Sequence, residues 1–207
     1  RLLPAFNTPT GLPRVLINFG TGELNDHPWA QKSTLLSDVG SCQIEFLALS
    51  HHTGNKKYFF ASMDARDFLL VNGPLPPTHL YYSSAFPSLE QYSFDAFGDS
   101  YFEYLLKLKL YAPYNLSKYD KPHEFRMALE TAINQIAFTS WKSKHEYFTT
   151  AFREDFSHTI SHLFFFLPGT LYLAASQEYE YNKKYFCSSH FNKEGNRNHR
   201  VFSYDSY

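Results

Sequence analysis

Apolar side chains recur at helical spacing along much of this chain, and stretches dense in proline and glycine separate the recurrences. Residues 1–34 carry Pro4, Pro9, Gly11, Pro13, Gly20, Gly22 and Pro28, too much punctuation for a long helix. They predict loop with a short extended piece at Val15 to Phe19. From Leu35 to about Thr53 the positions Leu36, Val39, Ile44, Leu47 and Ala48 follow a helical period, and Gly54-Asn55 supplies the stop. A second helix is predicted over Lys57 to Val71, ended by Asn72-Gly73-Pro74. Residues 72–97 hold Pro74, Pro76, Pro77 and Pro87 and read as a long excursion.

The next helix starts at Asp99 or Ser100, with Tyr101, Tyr104, Leu105 and Leu108 on one face at i, i+3, i+4 and i+7. Ser100-Tyr-Phe-Glu103 has the form of a capping box, in which the serine hydroxyl and the Glu103 carboxylate satisfy amides of the first turn. Asp99 is then unnecessary as the primary cap, though a carboxylate there interacts favourably with the helix dipole. By spacing alone its commoner role is structural. A further helix fits His123 to about Trp141, with a stripe of Phe125, Ala128, Leu129, Ala132, Ile133 and Ile136. Tyr147 to Phe152 predicts a strand. Ser161 to Ser176 predicts a last helix, irregular at Leu167-Pro168-Gly169 because proline removes a backbone donor. The plan is all-α, helix after helix joined by long irregular loops. After Ser176 the chain turns polar, and residues 177–207 read as a poorly ordered tail.

Length and charge narrow the classes. A chain of 207 residues with 43% hydrophobic side chains can build one domain with a substantial core. Its formal net charge of −1 argues against a surface that attracts nucleic acid or anionic lipid. The longest apolar run, Leu163 to Ala175, is short of the ~20 residues that span a bilayer and contains Pro168 and Gly169. Arg1 opens in mid-pattern, so the sequence reads as a piece of something longer. Cys42 and Cys187 allow at most one bridge. Asn115-Leu-Ser117 is a glycosylation sequon, usable only if the chain is lumenal.

Candidate chemistry is sparse. His158 and His162 are four apart, as zinc ligands on a helix would be, but Thr159 stands where a zinc protease of the HExxH kind needs its glutamate. His51 and His52 are adjacent and read as solvated surface. Glu45 interrupts the apolar run of Ile44, Phe46 and Leu47, so it is either exposed at a helix edge or directed into a polar site. Periodicity does not separate the two. The chain has no phosphate-binding glycine loop, no GxSxG elbow and no zinc-ribbon cluster.

The words LLPAFNTPTGLP (2–13), PWAQKSTLLSDVGSCQIEFLALSHHTGNKKY (28–58), FDAFGDSYFEYLLK (94–107) and HLFFFLPGTLYLAA (162–175) stand in an order that resembles family 47 glycoside hydrolases. These are the class I α-1,2-mannosidases that trim N-linked glycans in the endoplasmic reticulum and Golgi. The resemblance covers about residues 1–176. It implies part of an (α/α)7 barrel, a toroid of seven concentric helix pairs, with short hairpins entering one end and calcium at the base of the sugar pocket. This chain supplies about the middle of that barrel. The resemblance further implies that Asp99 is catalytic and that Glu45, Phe97 and His162 line the mannose pocket. The family's calcium-binding threonine and its other essential carboxylates have no counterpart here, so no metal ligand is expected in this segment.

By that resemblance the chemistry is inversion. One carboxylic acid protonates the leaving oxygen and an opposed carboxylate activates water, about 6.5–9.5 Å away. Asp99 cannot do both. Calcium, a hard cation taking ~6–8 oxygens, would fix sugar hydroxyls and water in the full-length protein. Phe97 occupies the place where endoplasmic-reticulum types carry Arg and Golgi types a smaller apolar residue; Pro28-Trp29 and the 72–84 excursion also lean towards Golgi. Phe165 stands where many members have a disulfide cysteine, which leaves Cys187 without that partner. The implied partner is a high-mannose N-glycan in the secretory lumen, with any membrane attachment through an anchor outside this segment. The segment alone is expected to be inactive. Two competing readings are a glycan-binding pseudoenzyme or quality-control adaptor of the same family, and a nonfunctional fragment of an incomplete gene.

Overall fold

The computed structural model describes residues 1–30, 32–71, 73–81, 87–89, 91–111, 124–140, 142–152, 155–157 and 161–185. Within them the helices are α1 (Leu36–Gly40), α2 (Gln43–Thr53), α3 (Lys56–Val71), α4 (Asp99–Tyr111), α5 (Glu124–Ile136) and α6 (Leu167–Tyr185). Helix α3 begins one residue before its predicted start and ends as expected at Val71. The helix predicted over Leu35 to Thr53 is two helices, interrupted at Ser41 and Cys42. That break changes the helical phase: Leu36 and Val39 are buried, but on α2 the buried side chains are Gln43 and Phe46, not Ile44, Leu47 and Ala48. Gly54 closes α2 in the left-handed conformation at φ 68°, as glycine after a helix is suited to do.

Helix α4 is the centre of the packing. It contacts α1, α2 and α5, so burial extends beyond the predicted face to Phe102 and Leu106 alongside Tyr101, Leu105 and Leu108. Tyr104 is left half-exposed. On α5 the stripe holds at Phe125, Ala128, Ala132 and Ile136. The helix stops at Ile136 rather than near Trp141, because Ala137–Thr139 turns into a strand. Arg66 of α3 and Glu124 of α5 form a buried ion pair behind α4, with side chains 6% and 8% exposed.

Short antiparallel pairings fill the connections. β1 (Leu16–Ile17), within the stretch predicted to be extended, pairs with β2 (Leu24–Asn25), in the stretch predicted to be loop. β3 (Ser33–Leu35), β4 (His79–Tyr81) and β5 (Pro87–Leu89) form one sheet, with Leu35 opposite His79. β6 (Gln91–Tyr92) pairs with β9 (Thr150–Phe152), which pairs with β10 (Asp155–Ser157); β7 (Ala137–Thr139) pairs with β8 (Glu146–Phe148). The predicted strand over Tyr147 to Phe152 is thus two strands that join different sheets. Between them the Thr149 amide donates to the Ile136 carbonyl at 2.9 Å.

The chain divides into Arg1–Leu171 and Tyr172–Tyr207. In the first unit a 3-10 turn, His162–Phe166, leads into the start of α6. Pro168 is therefore in a first helical turn, where its missing amide costs least. In the second unit α6 continues to Tyr185, past the expected end at Ser176. The remainder of the predicted tail, the sequon at Asn115, His158 and Cys187 lie outside the described residues. No helix among the described residues is long and apolar enough to cross a membrane.

Candidate active site

The turn before α4 carries the geometry. The Asp95 carbonyl accepts from the amides of Gly98 at 3.1 Å and Asp99 at 3.0 Å, closing the chain tightly into the helix. Gly98 is buried there, and a Cβ on it would come within 2.3 Å of the Ser93 carbonyl oxygen, so no larger residue fits without a shift. Phe97 takes φ 74°, a left-handed conformation that costs a non-glycine residue about 1–2 kcal/mol. Such strain persists where neighbours impose it and often marks a functional turn. Here the neighbour is Ser37 of α1: its amide donates to the Phe97 carbonyl at 2.8 Å, and its own carbonyl accepts from the Ser100 hydroxyl at 3.3 Å.

This exchange with Ser37 replaces the predicted capping box. The Ser100 hydroxyl is directed to α1, and Glu103 pairs instead with Lys107 at 2.7 Å. Asp99 itself accepts from the Ser100 amide at 2.7 Å. It is thus a half-exposed carboxylate in the first turn of a helix. Asp38 on α1 lies close enough to feel it. Burial pushes the Asp38 carboxyl up, His27 pulls it partly back, and Asp99 adds to the rise.

The other sequence-predicted residues attach to the same stretch. Phe97 is bordered by Trp29, with ring centroids 5.4 Å apart, and by His79 at 5.2 Å; Trp29 also stacks on His27 at 5.0 Å. Trp29 is 53% exposed, so this aromatic row reaches the surface beside Asp99. Glu45 is exposed on α2, which resolves its two sequence readings in favour of a helix edge. It is nevertheless held, because the Tyr104 hydroxyl donates to its Oε1 at 2.7 Å. Burial and the bond to Glu45 push the Tyr104 hydroxyl up to about 12, so it remains a donor at any ordinary pH. His162 is exposed on its 3-10 turn, and the preceding Ser161 is bonded to the Asp95 carboxylate through both its amide and its hydroxyl.

Residues 95–104 therefore include Phe97 and Asp99, hold Glu45 through Tyr104, and hold the turn of His162 through Asp95. A carboxylate at a helix start, an aromatic row and an imidazole are groups suited to acid–base chemistry on a neutral, hydroxyl-bearing substrate. Residues 1–200 match the profile of "Glycosyl hydrolase family 47". The chain belongs to that family.

Its similarity to curated members is moderate and extends over most of its length. It is 36% identical over 183 residues to "Mannosyl-oligosaccharide 1,2-alpha-mannosidase MNS1" of Arabidopsis thaliana, covering 85% of this chain and 32% of that protein. To the human "Endoplasmic reticulum mannosyl-oligosaccharide 1,2-alpha-mannosidase" it is 32% identical over 178 residues, covering 84% of this chain and 25% of the relative. The fold matches that of "alpha-1,2-mannosidase from Trichoderma reesei" with a TM-score of 0.69 at 23% identity, over 83% of this chain and 36% of that one. The chain spans between a quarter and a third of these curated relatives. The family match also runs to residue 200, past residue 176 where the resemblance was expected to end.

Several residues of this cluster carry no signal in the sequence. Tyr104 looked like core because it follows Tyr101 at i+3. Asp95 carried no signal beyond being an acidic residue in the aromatic word SFDAFGD. Asp38 lies far from Asp99 in sequence and comes within its electrostatic range through packing of α1 on α4, while His27 acts on Asp38 and stacks on Trp29. Among the described residues no three His, Cys, Asp or Glu are grouped to hold a metal ion. Cys42 is a free thiol.

Proposed function

We propose that the protein carrying this chain hydrolyses terminal α-1,2-linked mannose on high-mannose N-glycans in the lumen of the secretory pathway, Golgi or endoplasmic reticulum. What carries the reading is the attachment of Glu45, Phe97 and His162 to the stretch that sets Asp99, in a chain of family 47. The activities named for the curated relatives support the substrate class. In this reading the described elements are part of an (α/α)7 barrel.

The reaction is an inverting displacement in which Asp99 is one member of the acid–base pair and exchanges a proton with the departing oxygen or the attacking water. Its opposite carboxylate lies elsewhere in the protein. Glu45, with Oε1 occupied by Tyr104, offers its other oxygen to sugar hydroxyls. Phe97 gives an apolar surface to the C–H face of the ring, and the exposed His162 imidazole binds a hydroxyl. Calcium dependence is part of the proposal for the whole protein and rests on ligands other than the described residues.

The test is release of mannose from a high-mannose glycan by the full-length protein, with and without a calcium chelator, alongside Asp99→Asn. Release that disappears with the chelator and with the substitution supports the enzyme and the role of Asp99. Glycan binding without release would refute hydrolysis and make the protein a glycan-binding relative.

A further inference from the structure

Asp95 is 8% exposed and is fixed from behind. Its amide donates to Ser93 Oγ at 2.9 Å, and Ser93 Oγ meets Thr150 Oγ1 at 3.0 Å. Its carbonyl holds the amides of Gly98 and Asp99. Its carboxylate does separate work. Oδ1 accepts from the Ala96 amide at 2.8 Å and from the Ser161 hydroxyl, and Oδ2 accepts from the Ser161 amide at 2.5 Å. The Ser161 oxygen accepts in turn from the Leu163 amide at 3.2 Å, capping the 3-10 turn that bears His162. Two segments 66 residues apart are joined at this carboxylate.

The geometry points to Asp95 as a positioning residue for the reaction proposed above: its backbone sets Asp99 and its carboxylate sets the turn of His162, fixing the acid–base group against the mannose-binding imidazole. The inference rests on the mannosidase reading. The arrangement requires a carboxylate rather than a polar side chain of the same shape. Three donors face it, and both oxygens of Asp accept. Asn has one accepting oxygen, so its amide group would have to face a donor in either orientation. The charge state agrees. Burial works to push the Asp95 carboxyl up, but the two bonds from Ser161, the Ala96 amide and nearby His162 outweigh it and hold it below the ordinary carboxylate range.

Steady-state kinetics of the full-length protein on an α-1,2-linked mannose disaccharide test the role. Asp95→Asn leaves the backbone carbonyl that holds Asp99, so KM is expected to rise about tenfold, the scale of one hydrogen bond to a charged group, with kcat kept within about threefold. In a His162→Ala background the same substitution should add no further rise, because its effect passes through His162. Ser161→Ala, which removes the hydroxyl and keeps the amide, should raise KM by less and serves if Asp95→Asn does not fold. An unchanged KM in a folded variant, or full additivity with His162→Ala, overturns the inference. A fall in kcat at constant KM also overturns it, since that reads a smaller active fraction or a loss confined to the transition state rather than weakened mannose binding. If the wild-type protein neither cleaves nor binds the disaccharide, the mannosidase reading fails by itself. Amide hydrogen exchange at Ser161 and Leu163 then decides the positioning role: protection lost in Asp95→Asn supports it and unchanged protection overturns it.

Discussion

Replacing Gly98 by alanine adds a single methyl group at the point where the chain turns into α4. That Cβ would lie 2.3 Å from the Ser93 carbonyl oxygen and 3.3 Å from Thr78 Cγ2. The second contact can relax by a small side-chain motion, whereas the first is with backbone and must open by about 1.1 Å to reach the 3.4 Å of ordinary contact. Overpacking of this kind costs about 1–3 kcal/mol. Since the Gly98 and Asp99 amides both bond to the Asp95 carbonyl, the displacement passes directly to Asp99. A misplacement near 1 Å at a reacting group can cost about a hundredfold in rate. The expected result for the full-length Gly98→Ala protein is therefore a lower denaturation midpoint and a kcat on mannose release reduced by about two orders of magnitude. Gly169→Ala is the control: nothing lies within 4 Å of its added Cβ, and alanine in a helix gains roughly 0.5–1 kcal/mol. Gly98→Ala with unchanged midpoint and unchanged kcat would refute the steric argument and the coupling of Gly98 to Asp99.

Further outcomes follow from the same contacts. Glu124→Ala removes the buried partner of Arg66 behind α4 and leaves the more exposed Asp67 at 3.4 Å, so it should cost about 3 kcal/mol in denaturant unfolding, with the double change Arg66→Met and Glu124→Leu recovering most of it; a single variant as stable as wild type contradicts the buried pair. Tyr104→Phe removes the donor to Glu45 and should raise KM by about two- to tenfold with kcat retained. Because the native Tyr104 value of about 12 lies above the ~10 of unfolded tyrosine, its stability contribution is whole below about pH 10 and is lost as the pH rises towards 12. A phenolate absorbance step near that upper limit should be missing in Tyr104→Phe. Cys42, pushed up to about 12 by burial and then by Glu45, should alkylate at pH 8 roughly a thousandfold more slowly than an ordinary thiol. A Cys187→Ser variant isolates it, and rapid native labelling would contradict its burial.

The legible parts of the fold were those in which one local signal decided the outcome. Lys57 to Val71 has a clean period and a terminal Asn-Gly-Pro, and α3 follows it. The interruption at Ser41 and Cys42 is marked only by Gly40, a stop signal that the apolar period on either side overrides; it exists where α1 settles against α4. Ala137–Thr139 leaves α5 because β8 offers it a partner, and pairing of that sort overrides a helical period. The capping box shows the same competition from the other side. Its residues are present, but Ser37 supplies a different acceptor for Ser100. For the site, spacing alone gives Asp99 a structural role beside the helix dipole, and the pocket roles of Glu45, Phe97 and His162 come from ordered motif words. Neither route exposes Asp95 or Tyr104, whose partners are remote in sequence.

Those remote links explain why this turn can support a strained residue and an exposed carboxylate together. On the buried side Gly40 of α1 admits Tyr101 so closely that a Cβ at Gly40 would meet its Cδ2 at 2.4 Å. That approach lets Ser37 reach both Phe97 and Ser100, and it also brings Asp38 within electrostatic range of Asp99. On the other side Asp95 fastens the 3-10 turn of His162. The same close packing thus holds Phe97 in its left-handed conformation and leaves the start of α4 facing solvent. The turn is held by Gly40 and Ser37 of α1, and substitutions at either should therefore disturb Asp99 as directly as a change in its immediate neighbours.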